Sequence, residues 1–279
     1  MIHETDSLRV ADGRQLFTQR WLPGGAVKAH LLIVHGYAEY SARYEHLADF
    51  LTTHRYAVHS FDLRGHGRSE GLKAYVDRFE LYLKDLTAVL DAVKVSAKKQ
   101  PIFLFGHSMG GAIVTLYVIS RQPRLRGVIL SGAALQVSKE ISPLLQRFSS
   151  VIGSWAPKLK TITLDSKAVS RDPAVVKAYE QDPLIYHDGT YARTGAELIR
   201  ATKQIQANME KFKLPVLLLH GTADRLTEPD GSRDLEQRAA STDKTLHLYD
   251  GLYHELINEP EKEQVMQDIL EWLEARCDS

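Results

Sequence analysis

The chain alternates between short, nearly continuous apolar runs and longer stretches whose apolar residues recur every three or four positions. Ala29–Val34, Pro101–Phe105, Gly127–Ser131 and Pro215–Gly221 are runs of strand length, the pattern of strands buried on both faces. Tyr56–Phe61 and Lys244–Tyr249 read as further strands. Between these runs lie helical patterns. Arg43–Thr53 carries Leu47, Phe50 and Leu51 on one side, and Phe79–Val95 carries Leu83, Leu86, Leu90 and Val93. Gly111–Ile119 is apolar but for Thr115, Asp230–Ala239 is helical, and Pro260–Arg276 turns Val265, Ile269 and Trp272 inward. At the start, Ser7–Val10 and the alternating segment Gln15–Trp21 flank the turn Ala11-Asp12-Gly13-Arg14, which predicts an antiparallel pair ended by Pro23-Gly24-Gly25. Strand alternating with helix implies an α/β fold with a mostly parallel central sheet and helices on both faces.

The rhythm breaks once. From Ala134 to Lys213 no comparable strand pattern occurs. Ile141, Leu144, Leu145, Phe148 and Ile152 form a helical stripe, Asp172-Pro173-Ala174 reads as an N-cap followed by proline at the first helical position, and Thr194–Met209 reads as a second helix. Residues 134–213 are therefore expected to form a helical cap inserted into a core of residues 1–133 and 214–279. The whole remains a single domain, since both ends of the insertion return to the sheet.

Composition narrows the function classes. At 279 residues, with 44% hydrophobic and 25% charged residues, the chain suits an ordinary α/β enzyme. Lys plus Arg and Asp plus Glu balance at 35 each, so no global field recruits nucleic acid or an acidic membrane. Cys277 is the sole cysteine, which excludes an intrachain disulfide and a thiolate metal cluster. Neither a metal nor a cofactor is expected. The polar start Met1-Ile2-His3-Glu4-Thr5-Asp6 lacks a signal-peptide core, and no run approaches the roughly 20 apolar residues of a membrane span. The expected setting is cytoplasmic. Nothing in the sequence bears on oligomeric state.

Chemistry enters at Gly106-His107-Ser108-Met109-Gly110, which sits between a predicted strand and a predicted helix. A serine with glycine two residues to either side on such a turn is a nucleophile elbow. A Cβ at either flank would collide with neighbouring backbone, and the tight turn lifts the hydroxyl to the sheet tip beside a helix N-terminus. Serine needs a base and a carboxylate to orient that base, both at the carboxyl ends of strands and in the order Ser, Asp or Glu, His. Asp224 follows Pro215–Gly221, and His254 follows Lys244–Tyr249. Asp243 precedes its strand and Asp250 is the remaining rival; His220 ends a strand and is expected to pack. His35-Gly36-Tyr37 follows Ala29–Val34, so the backbone N–H groups of Tyr37 and Met109 are the expected oxyanion donors, each worth about 3 kcal/mol in the transition state. His35, His66 and His107 are read as structural.

Several segments then resemble one family. His35-Gly36-Tyr37-Ala38-Glu39-Tyr40-Ser41-Ala42-Arg43-Tyr44 resembles the HGxxEHSGRY segment of monoacylglycerol lipases and related lysophospholipases. Asp62–Gly71 resembles their DxxGHGxSEG loop, and Gly106–Gly111 is similar to their GHSMGG. Asp165-Ser166, Val169-Ser170-Arg171, Asp182-Pro183-Leu184, Gly221–Leu226 and Tyr253-His254 are also similar. The resemblance spans nearly the whole chain and carries Ser108, Asp224 and His254 across as a triad. Ala38 stands where the family often has glycine, Tyr40 where it has histidine, and Ala42 where it has glycine; the first of these bears on the reach of the oxyanion loop. The resemblance implies an α/β-hydrolase fold and hydrolysis of a monoacylglycerol to glycerol and a fatty acid through an acyl-enzyme. Lysophospholipase or general carboxylesterase activity is the alternative. Serine aminopeptidase activity, with Glu140 or Glu180 holding an amine, and a non-catalytic small-molecule receptor rank lower. The partner is then a small lipid ester. Ile141, Leu144, Leu145 and Phe148 are the expected cap contacts to it. The same stripe supports two readings: packing over the acyl tunnel, or partial exposure for transient contact with micelles or bilayers.

Overall fold

A computed structural model of the chain describes residues 1–137 and 143–277, with backbone alone for residues 143–147 and 150. The predicted apolar runs become the middle of an eight-stranded sheet: β1 Ile2–Arg9, β2 Gln15–Leu22, β3 Ala29–Val34, β4 Tyr56–Phe61, β5 Ile102–His107, β6 Gly127–Ser131, β7 Val216–Gly221 and β8 Lys244–Tyr249. Their spatial order is β1-β2-β4-β3-β5-β6-β7-β8. β1 and β2 pair antiparallel and the pairs from β4 to β8 are parallel. β1 is longer than its predicted Ser7 start: it pairs with β2 from Ile2↔Leu22 onward. Its residues are nearly all exposed, so backbone pairing rather than an apolar face holds it, and no hydrophobic period marks it.

Strand alternation divides the core. Leu32, Val34 and Leu104 face one cluster with α2 (Glu80–Ala97), α3 (Met109–Arg121) and Leu235 of α7 (Pro229–Arg238). Leu31, Ile33 and Phe103 face the other, built with α1 (Glu45–Thr53) and α8 (Lys262–Cys277). The chain visits β4 on one side of β3 and β5 on the other. That reversal places the crevice of an open α/β sheet outside the carboxyl ends of β3 and β5, where residues 35–37 and Ser108 emerge.

Between β6 and β7 the described residues contain α4 (Pro143–Trp155), α5 (Pro173–Gln181) and α6 (Ala192–Gln206) and contribute no strand to the sheet. Asp172 caps α5 as expected, accepting from Ala174 N at 2.8 Å, with Pro173 in the first turn. α6 does not stand apart from the sheet: Ala201 and Ile205, with Met209 and Phe212 beyond it, are buried in the α2–α3 core.

The core also holds neutral histidines. His30 Nδ1 and His59 Nε2 lie 2.9 Å apart. Burial pushes His59 and His66 down to about 3, and His107, desolvated and beside His254, to about 4. Their folded pKa values lie below the ordinary 6.5, so below that pH the unfolded chain binds protons that the native state refuses. Stability should therefore fall as pH drops from 6.5 toward 4, by about 1.4 kcal/mol per pH unit for each such histidine. Urea midpoints measured across that window test this. His59→Gln should flatten the slope, and an equal slope in both proteins would contradict the assignment.

Candidate active site

Ser108 occupies a strained left-handed position, with φ 52° and ψ −121°. Neighbouring backbone over-determines it: Ser108 N donates to Ser131 O (3.1 Å), while its carbonyl accepts from Ala134 N (3.0 Å) and Ala112 N (3.2 Å). The flanking glycines are sterically required. A Cβ on Gly106 would lie 2.7 Å from Gly110 O, and one on Gly110 would strike the carbonyl of Val34.

Two other loops converge on this turn. His254, buried at 4% exposure, has Nδ1 2.7 Å from Asp224 Oδ2. Asp224 lies in the loop after β7, held by Leu226 N (2.8 Å) and Thr227 N (3.0 Å) on Oδ1 and by Thr227 Oγ1 (2.8 Å) on Oδ2. His220 Nε2 stands 3.3 Å from the same Oδ2, and its Nδ1 meets Ser232 Oγ at 2.8 Å. Burial alone would raise the Asp224 carboxyl; the His254 and His220 imidazoles instead hold it well below the usual range. Burial pulls His254 down, but the Asp224 charge outweighs it and leaves the imidazole above 6.5. A proton on Nδ1 facing Asp224 leaves Nε2 with a lone pair for an acidic hydroxyl. The rivals go elsewhere: Asp250 accepts from Thr222 Oγ1, and Asp243 pairs with Arg276.

The third loop follows β3. Gly36 N donates to Glu39 Oε1 at 2.6 Å, and the next residue, Tyr37, lines the cavity. A Cβ on Gly36 would sit 3.0 Å from Ser108 Cβ, so this turn and the elbow touch. Met109 opens α3, and a first-turn N–H has no carbonyl of its own helix to bond. His35 binds loop backbone as expected: Nδ1 donates to Gly36 O (2.7 Å), and Nε2 accepts from Leu63 N (2.8 Å). His107 likewise meets Ser131 O (2.9 Å), and His66 meets Arg64 O (3.1 Å).

Tyr37, Ser108, Met109 and His254 open onto one cavity of about 650 Å³. Its wall is mainly apolar, from Ile152, Leu159, Ile162, Leu164, Leu198, Ile199 and Leu226.

A family model described as serine aminopeptidase, S33, matches residues 25–261. The monoacylglycerol lipase of Mycolicibacterium smegmatis is 35% identical over 253 residues, covering 91% of this chain and 90% of that one. The human monoglyceride lipase is 35% identical over 269 residues, covering 95% and 89%. The crystal structure of the Paleococcus ferrophilus monoacylglycerol lipase, 33% identical, aligns with a TM-score of 0.84 over 92% of this chain and 98% of that one. The chain belongs to the monoglyceride lipase family of α/β-hydrolases.

As a serine ester hydrolase of that family it departs from the sequence reading in the cap. Phe148 does not line the cavity; it is 46% exposed, together with Val151 (50%) and Trp155 (87%). Helical phase explains this. Positions 148, 151 and 155 share one face of α4; Ile152, one turn on from Phe148, lies at the edge of that face and lines the cavity together with Ser149. Ile141 lies outside the described residues, as do the side chains of Leu144 and Leu145. The lining segment from Leu159 to Asp165 went unpredicted because it is irregular and carries no hydrophobic period. Glu180 accepts from Ser166 Oγ (2.6 Å) on the exposed surface and does not line the cavity; Glu140 lies outside the described residues. Ala38 takes φ 68° where a glycine would be unstrained. It is nonetheless buried, with its carbonyl accepting from Tyr186 N at 2.8 Å. Glu39, Arg43, Glu255, Thr227 and His220 were missed as site residues. Glu39 and Arg43 were visible as an i, i+4 charged pair inside the HGxxEHSGRY-like segment.

Proposed function

We propose that this chain hydrolyses monoacylglycerols to a fatty acid and glycerol. Ser108 is the nucleophile, His254 the base and then the acid, and Asp224 the group that orients it. Ser108 Oγ gives its proton to His254 Nε2 as it bonds to the ester carbon. The N–H groups of Tyr37 and Met109 then receive the developing oxyanion. Collapse expels glycerol, which takes the proton from His254. Water, losing its proton to His254, attacks the acyl-enzyme; the Ser108 Oγ–carbon bond then breaks, Oγ takes that proton back from His254, and the fatty acid departs.

The observation that carries this reading is the apolar cavity of about 650 Å³ that opens on Ser108 and His254. That volume is of the size that encloses one drug-sized ligand, and its lining suits a single acyl chain. Residues 134–213 act as the cap that closes it over the core of residues 1–133 and 214–279. Among the described residues no helix is long and apolar enough to cross a membrane. Contact with lipid aggregates is assigned instead to the exposed face of Phe148, Val151 and Trp155 with nearby Leu159 and Ile162.

Mono-, di- and triacylglycerols and lysophospholipids compared by kcat/KM, as dispersed and as vesicle-bound substrate, test both parts. Monoacylglycerol should lead by at least about tenfold; a lysophospholipid in first place would replace the reading with the alternative. Trp155→Ser should reduce flotation with vesicles and the rate on vesicle-bound substrate, with the dispersed rate unchanged. An equal effect on both forms would remove the membrane assignment.

A further inference from the structure

We infer that Arg43 is a positioning residue: its guanidinium, held between Glu39 and Glu255, locks the oxyanion turn to the loop that carries His254. The inference rests on the roles given above to Ser108, Asp224 and His254.

Arg43 Nη1 and Nη2 meet Glu255 Oε1 and Oε2 at 2.5 and 2.6 Å, a two-pronged pair between residues 212 positions apart. The same Nη1 reaches Glu39 Oε2 at 3.1 Å. The three side chains are 12% (Arg43), 5% (Glu39) and 6% (Glu255) exposed, and the Tyr179 ring covers the guanidinium at 5.0 Å. Their remaining capacity is used: Tyr44 OH donates to Glu39 Oε1 (2.8 Å), and Asn258 Nδ2 donates to Glu255 Oε2 (2.9 Å).

Both ends of this chain of bonds finish in the catalytic loops. Glu39 Oε1 takes the N–H of Gly36 at 2.6 Å, one residue before the Tyr37 donor. Glu255 directly follows His254, and its own N–H donates to Val169 O (2.8 Å). Buried ion pairs contribute little net stability, because desolvation offsets attraction. Here the pair instead fixes two loops whose relative placement sets the distance between the oxyanion donors and the base, and errors of about 1 Å in such a placement cost on the order of 100-fold in rate.

The network also sets the field at the base. The groups facing His254 are Asp224 across the ring, Glu255 and Glu39 from the network, and His107, whose ring centroid lies 4.6 Å away. His220 acts through Asp224, and Arg43 acts through the two carboxylates. Removing one carboxylate and removing the cation should therefore move the base in opposite directions.

Three variants, Arg43→Lys, Glu255→Gln and Arg43→Met, are compared with wild type by fluorophosphonate labelling, kcat, KM and the acid limb of kcat/KM. Arg43→Lys keeps the charge and loses the fork. It should label fully yet lose about 10- to 100-fold in kcat, with KM nearly unchanged and the limb in place. Glu255→Gln should shift the limb to lower pH and Arg43→Met to higher pH. A merely structural role predicts loss in proportion to the unlabelled fraction and no opposed shifts. That result, or wild-type kcat in both Arg43→Lys and Glu255→Gln, overturns the inference. Labelling that survives in Ser108→Ala overturns the underlying assignment of the nucleophile instead.

Discussion

Ser108→Ala should lower kcat by about 10⁶-fold, close to 8 kcal/mol of barrier, in a protein that still folds. The bonds that fix the elbow run through the Ser108 backbone to Ser131, Ala134 and Ala112, and alanine keeps all of them. Alanine also carries the same Cβ, so the strain at φ 52° is neither relieved nor increased. Tyr37 and Met109 retain their N–H groups, so a residual rate above water is expected from oxyanion stabilisation alone. Single-turnover release of p-nitrophenol from a short ester, with circular dichroism as the fold control, measures it. Retention of even a hundredth of the wild-type rate would move the nucleophile elsewhere.

Asp224→Asn should cost about 10⁴-fold, and the surrounding donors say why. Oδ1 accepts from the N–H groups of Leu226 and Thr227, so the amide oxygen must take that place. The NH₂ group then falls at the Oδ2 position, facing His254 Nδ1. Two donors cannot bond each other, so the imidazole turns to the tautomer with its proton on Nε2. That tautomer presents N–H to Ser108 and cannot receive the hydroxyl proton. A loss of this size in Asp250→Asn, with Asp224→Asn active, would reassign the acid.

Much of the site was legible because its chemistry depends on local order. Glycines at 106 and 110 leave room for a strained serine, and a strand before it and a helix after it are periodic signals. The loops after β7 and β8 could be searched for a carboxylate and an imidazole because a parallel sheet puts strand ends on one side. His220 was half legible. Its burial followed from its place at the strand end, but its approach to Asp224 Oδ2 at 3.3 Å depends on how the next loop folds back. The cap was the least legible part. Its apolar stripe predicts a helix, seen as α4 from Pro143 to Trp155, yet which of its residues line the cavity depends on a rotation of a few tens of degrees, so that Phe148 stays exposed while Ile152, at the edge of the same face, lines the wall.

By itself, then, the sequence determined the α/β order, the elbow and the candidate triad, since each rests on spacing along the chain or on steric demands a few residues wide. The tertiary structure alone decided what crosses between distant segments: the Arg43–Glu255 pair over 212 residues, the Tyr186 N–H on Ala38 O, and the apolar wall that gathers Leu159, Leu198 and Leu226. Such contacts have no period and no local signature. They form only where the packing of sheet and insertion removes water from both partners and leaves each polar group one place to bond.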